Sequence, residues 1–215
     1  MGIVDYKSAH NMQKQLLNRH LNDGRNSLIL LQHKPVITVG RSGHEDNILV
    51  SESMLKSSGI EIYEVERGGD VTYHGPGQLT GYPIIDLKQF KKDVHWYLRQ
   101  LEQVIIDVLA QYGIEGKRID AYTGVWVGNE KVAAIGVAVR RWITYHGFAL
   151  NIHPDMSHFK MITPCGITDK GVTSLEKLLG YKIDLNEVMD KTISVFGKIF
   201  KVKPIHTRIN PTLPG

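Results

Sequence analysis

Residues 123 to 152 hold three strand-like runs with almost nothing between them. TGVWVG (123–128), KVAAIGVAVRR (131–141) and ITYHGFALNI (143–152) are rich in β-branched and aromatic residues. The first link is the turn Asn129-Glu130, and the second is Trp142 alone. Parallel neighbours need a crossover of about a dozen residues or more, so links this short dictate an antiparallel meander. Further strands are predicted over 27–32, 36–40 and 60–66. Helical spacing runs over 5–22, 93–112 and 185–200, with short helices after Ser51 (52–58) and Ser174 (175–179). In the longest, Val94, Tyr97, Leu98, Leu101, Val104, Ile105 and Val108 repeat on one face, and Gly113 follows as a stop. The first helix is expected to bury Tyr6, Ala9, Met12, Leu16, Leu17 and Leu21. These elements make an α+β chain in two layers, a mixed, mostly antiparallel sheet with helices on one face. The 215 residues are expected to form a single domain, 1–215.

One stretch departs from simple strand-and-turn grammar. RGGDVTYHGPG (67–77) packs four glycines and a proline among polar side chains, then passes into apolar QLTGYPIIDL. Glycine admits positive φ or the close approach of another group. A loop of this length and polarity between two strands suits ligand holding, with a plain hairpin connection as the alternative.

Charge and cysteine usage exclude several classes. Lys and Arg number 26 against 22 Asp and Glu, a net charge of +4 with no run of five or six like charges. A nucleic-acid partner is therefore not expected, while an acidic soluble partner suits a mildly positive rim. The single cysteine, Cys165, rules out an internal disulfide and a cysteine-rich zinc site. His146, His153 and His158 match no zinc spacing. No phosphate-binding glycine motif and no apolar run of membrane-spanning length occurs, and no leader is evident. Reducing cytoplasm is the expected location.

Two residues stand out for chemistry. Cys165 lies in Thr-Pro-Cys-Gly, where Pro164 extends the preceding residue and Gly166 permits a sharp turn. That setting suits a presented nucleophile, although a lone cysteine is as a rule a small buried hydrophobe. A thiol of ordinary pKa, about 8.5, needs a nearby cation to be a useful nucleophile at neutral pH. Lys131, opening the second strand of the meander, is the candidate cation; the alternative is a solvated turn lysine. Beyond it, Ala133, Ala134, Gly136 and Ala138, with Gly147 and Ala149 on the next strand, form a strip of small residues. Such a strip leaves a slot for an apolar ligand or allows close packing against a helix.

These residues fall in three blocks of a known pattern. RGGDVTYHGPGQLTGYPIIDL resembles the signature of the octanoyl-acyl-carrier-protein–protein N-octanoyltransferases, or lipoyl(octanoyl) transferases. GVWVGNEKVAAIGVAVRRWITYHGFALNI resembles that family's second block, and ITPCGI followed by GVTSL its third. The resemblance implies a fold like the biotin and lipoate protein ligase catalytic domain. It implies that Cys165 accepts the acyl group as a thioester and that Lys131 lowers its pKa. It implies that Arg67, Gly68, Gly69, Asp70, Val71, Thr72, Tyr73 and His74 hold the acyl substrate. Ala134, Ile135 and Gly136, and Gly147, Phe148 and Ala149, share that role. His74 and His146 are candidates for orienting the site or for core roles. The implied donor is octanoyl-acyl carrier protein. The implied acceptors are lipoyl domains of 2-oxoacid dehydrogenase complexes and the glycine cleavage H protein. No cofactor or metal is implied, and neither a nucleic acid nor a membrane. An ATP-dependent lipoate or biotin ligase of the same fold is the alternative, and a non-catalytic acyl- or carrier-binding module is a third.

Overall fold

The computed structural model describes residues 2–120, 122–163 and 170–205. The meander is present as β8 (Tyr122–Val127), β9 (Glu130–Arg140) and β10 (Ile143–Asn151). It continues through β6 (Gln78–Ile84) to β2 (Ser27–His33), all antiparallel. Short strands close the ends: β1 (Ile3–Val4) lies parallel to β2, and β7 (Lys117–Ile119) pairs β8. β11 (Gly171–Val172) runs parallel to the first residues of β9. A second sheet of three strands has the order β4 (Glu61–Glu64), β3 (Val36–Val39), β5 (Val71–His74).

The glycine-rich stretch is thus not one long loop. Val71 to His74 is a buried strand and Gln78 begins another, so the irregular backbone shrinks to 65–70 and 75–77. Val71 and Tyr73 point into a small core with Ile37, Leu55 and Ile60, which is why this short polar-looking run is strand. It belongs to the small sheet, whereas β6 belongs to the large one.

α3 (Val94–Ala110) and α5 (Leu185–Phe200) pack on one face of the large sheet, against Leu79, Phe148 and Leu150. Asp93 and Asp184 cap them by accepting from the Trp96 and Asn186 amides. α1 (Tyr6–Asp23) packs on the other face, against Ile29, Leu31, Tyr82 and Ile84, so helices do not keep to a single face. Its buried stripe runs Tyr6, Ala9, Gln13, Leu16 and His20, while Leu21, expected inside, is exposed. Gln13 and His20 take inward positions because each finds a partner there: the His146 amide and the Arg25 carbonyl. α1 lies over β6 and the start of β10, with Ile29 and Leu31 of β2 beside it. The rest of that face, over β6, β10 and β9, is left for the small sheet and the residues around Arg67. The short helices α2 (Glu52–Ser57) and α4 (Leu175–Leu179) fall at the predicted places. Among the described residues no helix is long and apolar enough to cross a membrane.

Candidate active site

Between that open part of the large sheet and the segment around Arg67 lies a cleft of about 510 Å³, counted out to its mouth. Its floor is the small-residue strip. Gly136 pairs with Gly147 and Ala134 with Ala149 across β9 and β10, and all four line the cleft. Gly147 has no room for a side chain, because a Cβ there would strike the Gly81 carbonyl oxygen and the Pro83 ring. Ile135 and Phe148 also border the cleft, with side chains packed in the core on the far face of the sheet.

The roof is Arg67, Gly68, Gly69 and Thr72. It is pinned at two points. The Gly68 amide donates to the Val137 carbonyl at 2.9 Å. The Arg67 guanidinium, itself buried, donates to the Thr38 carbonyl at 2.8 Å, to the Thr38 hydroxyl and to the Gly68 carbonyl. Three residues of the predicted substrate segment point elsewhere. Val71 and Tyr73 fill the small core, and the Tyr73 hydroxyl pairs with His158 Nδ1 at 2.7 Å. Asp70 accepts from the His44 and Val71 amides and from the Asn47 side chain, so it ties down the neighbouring loop.

The inner wall is polar and was not foreseen in full: Tyr6, Thr80, Tyr82 and His146 join His74 there. Burial keeps this wall uncharged. It pushes the Tyr6 and Tyr82 phenols up and the His74 imidazole well down. His33, behind the wall, bonds the Tyr82 hydroxyl at 2.6 Å and is pushed down to about 4 by burial. His146 is pushed down to about 3, first by burial and then by His10 and Arg67. Its φ of 55° is unusual for a non-glycine residue inside a strand.

Lys131 lines the cleft and is 6% exposed, which disposes of the solvated-turn alternative. Its ammonium sits 4.8 Å from the Trp126 ring centroid. The Lys131 stem runs alongside Gly124, whose φ of 134° and close approach to the Ala133 carbonyl oxygen exclude a side chain. Gly124 is held in turn by the fully buried Glu102, which accepts from its amide at 3.1 Å and pairs with Arg99 and Arg118. Among the described residues that line the cleft, Arg67 and Lys131 carry the charged side chains, and both are positive.

Cys165 lies outside the described residues, as does the rest of 164–169. The strand that follows it, β11, is sewn to Lys131. Val172 pairs with Lys131, and the Thr173 amide donates to the Lys131 carbonyl at 3.0 Å. A chain of buried side chains extends that link. Asn151 donates to the Thr173 carbonyl, and Gln78 donates to Asn151 and to the Tyr73 carbonyl. His74 Nδ1 pairs with the Gln78 carbonyl oxygen at 2.7 Å. The arrangement can hold an apolar chain against the strip and stabilise a negative charge near Lys131.

The chain is similar to known proteins over nearly all its length. Residues 5–197 match the family model for the lipoyl protein ligase A/B catalytic domain. Over 206 residues the chain is 51% identical to an octanoyltransferase of Caldicellulosiruptor saccharolyticus, covering 94% of this chain and 88% of that one. It is 53% identical over 202 residues to an octanoyltransferase of Clostridium kluyveri, with 93% and 85% covered. Among solved structures, a lipoate-protein ligase A bound with ATP superposes with a TM-score of 0.74 at 15% identity, over 92% of this chain and 84% of that chain. A chain from the Thermoplasma acidophilum structure of a bi-partite lipoate protein ligase and its E2 lipoyl domain gives 0.74 at 14%, over 97% and 86%. At such identities the likeness is one of fold.

Proposed function

Because the chain belongs to the lipoyl protein ligase A/B catalytic-domain family, with octanoyltransferases as relatives about half identical to it, we propose that it transfers an octanoyl group to a lipoyl domain through a thioester on Cys165. The donor in this reading is octanoyl-acyl carrier protein, and the whole chain acts as one catalytic domain in the cytoplasm. The Cys165 thiolate attacks the donor's thioester carbon. The bond from that carbon to the carrier's sulfur breaks, and the carrier leaves as a thiol after taking a proton. The amine of a lipoyl-domain lysine then attacks the enzyme-bound acyl carbon. Its C–N bond forms as the C–S bond breaks, and the proton lost by nitrogen returns to Cys165 or water. A thioester becomes an amide, a downhill exchange that needs no ATP.

The observation that carries the proposal is the buried Lys131, set at a cleft floored by Ala134, Gly136, Gly147 and Ala149 and bonded to the strand that follows Cys165. A cation there favours a thiolate and the oxyanion formed when it attacks. The small floor leaves room for an unbranched acyl chain, and the roof residues Arg67 to Gly69 close over it. The ATP-dependent ligases share the fold, so fold alone does not separate the two activities.

The test is intact mass. Mixed with octanoyl-acyl carrier protein and no ATP, the protein is expected to gain one octanoyl group. The gain should vanish in Cys165→Ala and on adding a lipoyl domain. Transfer that appears only with ATP and free acid, and survives Cys165→Ala, would overturn the proposal in favour of a ligase.

A further inference from the structure

Behind the polar wall three side chains converge from distant parts of the chain. His10 comes from α1, Glu66 from the residue before Arg67, and His146 from β10. Glu66 Oε2 lies 3.1 Å from His10 Nε2 and 3.7 Å from His146 Nε2, and all three atoms lie within 4.8 Å of one another. Each of these atoms is buried, yet among the described residues none has a hydrogen-bond partner of acceptable geometry. The His146 side chain is only 2% exposed, so its nitrogen is aimed into this cluster with no water-facing alternative. A buried polar atom left unpaired is costly, and here three share one point.

We propose that His10 Nε2, Glu66 Oε2 and His146 Nε2 form a binding site for a divalent transition-metal ion, with zinc the best match. Two imidazoles and one carboxylate are a recurrent zinc donor set, with a fourth position left for water. Bond lengths of about 2.0–2.1 Å at a tetrahedral centre put ligand atoms roughly 3.3 Å apart. Two of the edges are already close to that length, and the third closes by a rotation of His10, whose side chain is the less buried of the imidazoles. Burial disfavours the charged form of both rings, which keeps them neutral as ligands must be. Lys14 is the adverse neighbour. Its ammonium faces the other Glu66 oxygen, Oε1, at 3.5 Å, and so leaves Oε2 to the metal. Arg67 adds positive charge near His146, but its guanidinium is bonded to Thr38 and Gly68. Glu66 is 41% exposed, which supplies a path from solvent.

The site is distinct from the cation at Lys131 and from Cys165. Its effect would be to tie α1, the start of the roof and β10 together beside the acyl cleft, since His146 also lines that cleft.

Calorimetric titration of chelator-treated Cys165→Ser protein with zinc and with cobalt(II) tests the site. The serine variant removes the thiol as a competing ligand, and it lacks the proposed acyl-transfer chemistry, so metal binding and transfer are read separately. One ion per chain is expected, with visible cobalt absorption of a four- or five-coordinate centre. The melting temperature should rise by roughly 5–10 °C at a hundredfold excess over Kd. His10→Ala and Glu66→Gln, both at partly exposed positions, should each weaken binding at least about tenfold. Failure of zinc and cobalt to bind at millimolar concentration would overturn the proposal. So would binding that His10→Ala and Glu66→Gln leave unchanged.

Discussion

If the strip on β9 and β10 is the seat of the acyl chain, then filling it should shorten the chain that the protein accepts. Ala134 is the position to change. It lines the cleft opposite Ala149, and its neighbours Ala133 and Ile135 face the core behind the sheet. A leucine there projects into the cleft and occupies the room of about three methylenes. Each methylene withdrawn from water contributes about 0.8 kcal/mol, so an octanoyl donor would lose roughly 2.4 kcal/mol of binding in the transition state. That is about a 50-fold fall in kcat/KM. A butanoyl donor, too short to reach the filled section, should lose less than about threefold. The assay is acyl transfer to a lipoyl domain with octanoyl-, hexanoyl- and butanoyl-acyl carrier protein, with circular dichroism to check that Ala134→Leu folds. An equal fall for all three donors would refute the reasoning, because a merely distorted site does not count methylenes.

Removing the charge at Lys131 while keeping its stem, as in Lys131→Met, should raise the apparent pKa of Cys165 by about 1–3, the effect of losing a close opposite charge. The pH profile of iodoacetamide alkylation reads this directly, and an unchanged profile would sink the role given to Lys131. Stability should also carry a signature of His33. Its folded pKa of about 4 lies below the ordinary 6.5, so the unfolded chain binds more protons between about pH 4 and 6.5. Stability is therefore full above pH 6.5 and falls as the pH drops towards 4, by about 3 kcal/mol from this residue. His74, also held neutral by burial, acts in the same direction. Urea midpoints at pH 7, 5 and 4 should show the loss shrinking in His33→Gln; a constant difference between the two proteins would contradict it.

The meander and the three long helices were legible because their signals are local. Links of one or two residues leave an antiparallel pair no alternative, and the spacing of Val94 to Val108 fits no strand. What stayed hidden was relational. β5 is four residues of mixed polarity whose burial comes wholly from partners such as Ile37 and Phe159, far away in sequence. Gln13, His20 and Glu102 interrupt their helices' apolar stripes, and a stripe is judged by apolar residues. Each is buried with a backbone group as partner, and Glu102 also with Arg99 and Arg118. Tyr6 and Tyr82 read as ordinary core aromatics, and only the fold turns them towards the cleft.

The site itself shows most clearly where pattern reasoning stops. Lys131 and Ala134 are three apart, so strict alternation along a strand would send them to opposite faces. Both line the cleft. The pairing of β8 with β9 shifts by one between Val125–Ala133 and Trp126–Lys131, leaving Val132 as the extra residue of a bulge. Val132 and Ala133 consequently both face the helical core, and Lys131 is returned to the face that carries the strip. Nothing in KVAAIG announces the bulge: no glycine sits at it, and valine and alanine suit either face. The glycine that permits it is Gly124, on the partner strand, where a backbone of positive φ leaves space for the Lys131 stem. The position of the cation is therefore a property of two strands, and substitutions at Gly124 or Val132 act on the site through the register of β9.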